Sequence, residues 1–139
     1  MKRKIVMTGL MLVMTAMGLY ANPNTNPDIR QVVVKNLEAT QAEDMTAITG
    51  MMHTQSPSFE ATKSQLPPLF KAYDLKYELL SFEFVAMSGE YAIGRTRQRT
   101  TKADGPIFRD NEIDMIQIFR KENGRWKFWA QSILTVTYL

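Results

Sequence analysis

Few residues in this chain have the type and spacing that chemistry needs. Arg95, Arg97 and Arg99 stand two apart in YAIGRTRQRTT (91–101). In a strand they form one basic stripe. Acid–base work would need a tunable group within reach of a substrate. The carboxylates placed to serve are Glu83 and Asp44, with Tyr77 as a hydrogen-bonding phenol. Asp44 also stands where it can cap a helix. The single His53 lies in a polar stretch, HTQSPS (53–58), expected to be a solvated loop. One histidine and no cysteine cannot build a metal cluster or a disulfide, so no metal and no cofactor is expected. No glycine-rich phosphate loop and no Ser/His/Asp arrangement is present.

The charge balance bears on the arginine stripe. The 139 residues carry 17 Lys and Arg against 14 Asp and Glu. Three of the basic residues, Lys2, Arg3 and Lys4, open an apolar run from Ile5 to Gly18 that ends near Ala21. A basic start, an apolar middle and a small residue form the pattern of a secretory signal peptide. Residues 1–21 are read as that signal, with cleavage after Gly18 as the alternative, and the run is short for a membrane span. The remainder is balanced in charge, exported to a periplasm or beyond, and free of the membrane once cleaved. It has no overall field to attract nucleic acid, and no nucleic-acid partner is expected.

Positioning elements follow from period and punctuation. After a linker at 22–28, Asn26-Pro27-Asp28 reads as a helix start. Ile29, Val32, Val33 and Leu37 continue it to about residue 42. A short helix follows Asp44. A third, over 59–73, is expected to be broken by Pro67 and Pro68. Strands are expected over 75–87, 90–102, 108–121 and 125–138, with turns at Ser88-Gly89, Asp104-Gly105-Pro106 and Asn123-Gly124. Helices followed by consecutive hairpins specify an α+β fold on an antiparallel sheet. Residues 29–139 are read as its one domain.

Gly-Glu-Tyr-Ala (89–92) and Ile-Phe-Arg-Lys-Glu-Asn-Gly-Arg-Trp-Lys (118–127), set in that order of elements, resemble the nuclear transport factor 2-like superfamily and its SnoaL-like bacterial branch. The resemblance implies a cone-shaped fold, with N-terminal helices closing one side of a curved sheet around a cavity. Its members include isomerases, dehydratases, cyclases and non-catalytic binding or dimerising modules, so it implies a fold before a function.

A hairpin closed at 103–106 sets Arg99 opposite Asp110, Arg97 opposite Glu112 and Arg95 opposite Asp114. A slip of two keeps most of these charge pairs; a slip of one turns every side chain over. The stripe is thus expected to be a structural charge ladder rather than an anion site. Its face is expected to continue with Phe82, Phe84, Ile93, Ile116, Ile118, Trp129 and Ile133, either as a homodimer interface or packed beneath the helices. Because members of that superfamily usually line their cavity from the face that carries the turn tryptophan, the resemblance implies that the opposite face lines it, with Tyr77, Glu83, Thr96, Gln98, Asn111, Met115, Gln117 and Ser132. Two functions stay open. One is a non-catalytic exported module that binds a small apolar ligand or dimerises. The other is a lyase- or isomerase-type enzyme using Glu83 or Asp44 with a tyrosine.

Overall fold

Asn26 caps the first helix, its side chain accepting from the Ile29 N–H at 3.3 Å, and Pro27 supplies a first turn that needs no N–H. A computed structural model describes residues 26–139; residues 1–21, read above as a signal peptide, lie outside the described residues. Helix α1 runs Pro27–Gln41, α2 Met45–Gly50 and α3 Phe59–Ala72. The strands are β1 Asp74–Ser88, β2 Tyr91–Asp104, β3 Asn111–Glu122 and β4 Arg125–Tyr138.

The strands form one antiparallel sheet in the order β1-β2-β3-β4. At the last hairpin Asn123 and Gly124 both take positive φ, 52° and 74°. That is the backbone a tight two-residue turn requires, and Asn-Gly is the pair that adopts it most readily.

Helices cover one face of the sheet. Ile29 and Val33, one turn apart on α1, meet Ala92 and Phe119 in a fully buried cluster. Leu79, Phe82, Phe84, Trp126 and Phe128 pack around it. The rings of Phe119 and Phe128 lie 4.9 Å apart across β3 and β4. Burying a side chain such as Phe119 contributes about 1.5–3 kcal/mol, so this cluster is what holds α1 to the sheet. After α2 the chain is stitched to β4: the Phe128 N–H donates to the Met51 carbonyl, and the His53 N–H to the Phe128 carbonyl, both at 2.9 Å.

Helix α3 differs from its expectation. It runs unbroken through Pro67 and Pro68, both exposed. Each proline forfeits one helical hydrogen bond, and on this outer face the freed carbonyls of Lys63 and Ser64 lie on exposed residues. The helix buries no residue fully, so the kink-prone turn distorts no core.

Three further corrections concern the sheet, and β-bulges explain two of them. The register slips between Leu79 and Ser81. An inserted residue turns every following side chain to the other face. Phe82 therefore pairs with Thr96 and Phe84 with Gly94, on the helix-covered face, while Glu83 pairs with Arg95 on the outer face. A second slip lies between Ile118 and Phe119 on the β3–β4 pair. Beyond it Gln131 pairs with Gln117 and Ile133 with Met115 on the inner face, and Ser132 pairs with Ile116 on the outer one. Phe82, Phe84 and Ile133 thus leave the ladder face, and Glu83 and Ser132 leave the cavity face. The third correction is the β2–β3 register. The last pair is Thr100 with Asn111, so the connection is wider than a tight turn and the pairing sits two residues from expectation.

Candidate functional site: a neutral pocket between helices and sheet

The inner face carries a pocket of about 400 Å³, within the range of small-molecule sites. One wall is α1, where Asn36, Leu37 and Thr40 make a stripe at helical spacing. A second wall is α3, through Thr62, Gln65, Leu66 and Leu69 at i, i+3, i+4 and i+7. Ile48 and Met52, on and just after α2, close one end. The sheet supplies the floor through Tyr77, Gln98, Ile113, Met115, Gln117, Phe128, Gln131 and Ile133. A shallower groove at the seam of α1 and β1 shares Tyr77 and Leu37 with it.

No Asp, Glu, Lys, Arg or His lines the inner pocket among the described residues. Its polar side-chain groups are amides, hydroxyls, one phenol and the Trp129 indole. Several are held in place. Thr96 is 1% exposed, and its hydroxyl donates to Gln117 Oε1 at 2.7 Å. Gln98 Nε2 donates to Thr100 Oγ1 at 3.3 Å. Gln41 clamps the floor to α1, accepting from the Tyr77 N–H at 2.9 Å and donating to the Leu75 carbonyl at 3.1 Å. Burial, with a smaller push from Glu43, raises the Tyr77 phenol above its ordinary pKa, so it stays protonated at neutral pH and can donate a hydrogen bond.

Of the residues expected in the cavity, Tyr77, Gln98, Met115 and Gln117 line it, and Thr96 sits beneath the floor holding Gln117. Asn111 lies on the same strand face but outside the pocket lining, its Nδ2 donating to the Arg109 carbonyl at 3.0 Å. Glu83 and Ser132 face away, by the bulges described above. Asp44 caps α2 by accepting from the Ala47 N–H at 3.0 Å. The candidates for acid–base work are therefore dispersed: Tyr77 in the pocket, Glu83 on the outer face, Asp44 at a helix start. Sequence reasoning missed Gln131 and Ile133, whose facing depends on a bulge. It also missed the α1 and α3 walls, which helical spacing alone could have found. Among the described residues no cluster of His, Asp or Glu has the grouping of a metal site.

His53 is not a solvated loop residue. It is 5% exposed, with its ring edge against Trp129 at 5.0 Å between centroids. Its Nδ1 lies 3.4 Å from Glu122 Oε2 and accepts from the Gln55 N–H at 3.1 Å. Glu122 also accepts from the hydroxyl and N–H of Thr54 and pairs with Lys127 at 3.2 Å. The Thr54 hydroxyl above all, with Lys127 and the Thr54 N–H adding to it, lowers the Glu122 carboxyl to a pKa of about 2. The stitching of residues 51–53 to β4 brings this group together.

On the outer face the arginine stripe meets acids. Arg95 Nε donates to Asp114 at 2.9 Å, Arg97 to Glu112 at 3.1 Å, and Arg99 to Glu112 at 2.7 Å. Arg99 also reaches Glu78 at 3.4 Å. Because the register sits two residues from expectation, Arg99 is directly opposite Glu112 and not Asp110. Asp110 instead accepts from the Lys102 N–H at 2.8 Å. The hydrogen bonds from Arg95 and Arg99 lower the Asp114 and Glu112 carboxyls and raise both arginines.

Several solved structures share this architecture. The protein Bd1075 of Bdellovibrio bacteriovorus superposes with a TM-score of 0.63 at 14% identity over 76% of this chain, which spans 38% of that longer protein. A conserved protein from Planctomyces limnophilus gives 0.64 at 18% identity, covering 81% of this chain and 95% of its own. An NTF2-like protein of unknown function from Pseudomonas putida gives 0.60 at 13% identity, covering 76% and 82%. These likenesses establish the nuclear transport factor 2-like fold. No curated protein matches the chain by sequence. The family model of the anti-sigma-I factor RsgI9 C-terminal domain, however, matches residues 31–139, which takes in both helical walls, the pocket floor and the whole sheet. With its sequence matched over that span, the chain belongs to the RsgI9 C-terminal domain family.

Proposed function

We propose that this protein is an exported module that binds a small, largely apolar molecule in the inner pocket without transforming it. The observation that carries this reading is the lining: a site of about 400 Å³ with apolar walls, neutral polar groups and, among the described residues, no ionisable side chain except the Tyr77 phenol. Acid–base catalysis needs a group poised to take or give a proton near neutral pH. A phenol raised above its ordinary pKa is a poor base there, and the carboxylates Glu83 and Asp44 stand elsewhere. The match to a domain of an anti-sigma-I factor, a protein named for regulation, also favours binding over turnover.

Export rests on the basic, apolar and small-residue pattern of residues 1–21. It would deliver the domain to a periplasm or the medium. A homodimer through the outer sheet face is part of the proposal. No described helix covers that face, and Ile93, Ile116 and Ile118 lie on it beside the charge ladder. Its apolar area is smaller than the sequence implied, since Phe82, Phe84 and Ile133 face inward.

Native mass spectrometry of the protein purified from its own host tests these points together. Expected are a chain lacking the N-terminal segment, a dimer, and a co-purified small molecule. A full-length monomer with no adduct would contradict all three.

A further inference from the structure

The pocket also carries information about the chemistry of its occupant. We infer that it takes an uncharged, mainly apolar molecule bearing a carbonyl oxygen, received by the amide nitrogen of Gln117. This rests on the pocket being a binding site. Gln117 is 6% exposed and stands on the floor. Its Oε1 is taken by the buried Thr96 hydroxyl at 2.7 Å. With the oxygen end of the amide held, the nitrogen end is what Gln117 offers to the pocket, and it can only donate. Gln131 stands directly across the strand pair and is exposed, so its amide is free to turn toward the same point. The apolar part of the pocket lining includes Met115, Ile133, Phe128 and Leu66.

No charged side chain lines the pocket among the described residues, and that decides the charge of the occupant. A carboxylate or ammonium entering this site would lose water and gain no counter-charge, a cost that neutral hydrogen bonds do not recover. A pure hydrocarbon would enter but would strip the Gln117 nitrogen of water without replacing it. A carbonyl on an apolar frame meets both conditions.

A matched series of two-ring probes tests the inference: tetralin, 2-tetralone and 2-naphthoate, measured by ligand-observed NMR titration on the purified protein. The ketone is expected to bind on the order of three- to tenfold more tightly than the hydrocarbon, the range one net hydrogen bond supplies, with the carboxylate weakest. In Gln117→Met, which keeps the side-chain length, ketone and hydrocarbon should bind alike. Thr96→Val should narrow the preference by freeing the amide to rotate. Far-UV circular dichroism establishes that each variant is folded. Should Thr96→Val fail to fold, Gln117→Met carries the test. Equal binding of ketone and hydrocarbon to the wild type, a ketone preference unchanged in Gln117→Met, or tighter binding of the carboxylate would overturn the inference while leaving the pocket a binding site. No binding of any probe would contradict the pocket reading itself, and the inference with it.

Discussion

The Thr96 hydroxyl donates to Gln117 Oε1 at 2.7 Å where both side chains are buried. Removing one partner leaves the other desolvated and unpaired, which costs about 1–3 kcal/mol. Thr96→Val should lower unfolding stability by that amount. Thr96→Val combined with Gln117→Met should recover much of the loss, since both ends of the bond are then apolar. Urea unfolding of the two single variants and the double variant closes the cycle. Strictly additive losses would show that the bond contributes nothing specific.

Glu122 ties the segment after α2 to the sheet, and its carboxyl falls from 4.5 in the unfolded chain to about 2 in the folded one. Above pH 4.5 the group is charged in both states and its stabilisation is complete. As pH falls below 4.5 the unfolded chain takes up the proton first, so stability declines, and the contribution is gone below about pH 2. The ladder carboxylates Glu112 and Asp114 act in the same direction. Urea midpoints at pH 7, 4 and 3 should therefore fall in that order. The drop should be smaller in Glu122→Gln, which has no proton to gain. An identical pH profile in wild type and variant would show that Glu122 is not the group responsible.

Gly94 is required by its neighbour rather than by its backbone. A Cβ built there would stand 2.6 Å from Cε2 and 2.9 Å from Cζ of Phe82. The ring is part of the shell around the core, so it cannot swing aside freely. Gly94→Ala should destabilise by about 1–3 kcal/mol through overpacking. Gly94→Ala with Phe82→Leu should relieve most of that clash. Thermal unfolding of both proteins measures it, and a neutral Gly94→Ala would contradict the close approach.

The charge ladder should behave as an exposed network. Arg97→Ala should lower Tm only slightly, and the difference should shrink between 50 mM and 500 mM NaCl as salt screens the pair. Glu112→Lys should be more damaging, because it sets a third cation against Arg97 and Arg99. Heparin binding that depends on Arg95, Arg97 and Arg99 would instead point to an anion site.

The order of helices and strands was legible from local signals: the Asn26 cap, the apolar spacing of α1, and Asn123-Gly124 at the last turn. The pairing of basic with acidic residues on one sheet face was legible too, because it depends only on alternation. Which side chains share the pocket was not. One bulge beyond Leu79 exchanged Glu83 for Phe82 and Phe84, and another before Phe119 exchanged Ser132 for Gln131 and Ile133. A bulge is one unpaired residue with no obligatory sequence mark, yet it inverts everything after it. Pro67 and Pro68 misled for a related reason. Their cost depends on whether the affected turn is buried, and burial is set by tertiary packing. The facing of His53 likewise depended on two backbone bonds to β4, which no local pattern announces.

The central claim is that the inner pocket holds a small molecule. Thr62 lies on α3 and lines that pocket without belonging to the buried core, so Thr62→Trp would fill the space and leave the fold intact. Native mass spectrometry of wild type and Thr62→Trp, each purified from the native host, tests the claim most directly. The expected result is a non-covalent adduct of a few hundred daltons on the wild type, absent from the filled variant. An adduct retained equally by both proteins, or found on neither, would contradict it.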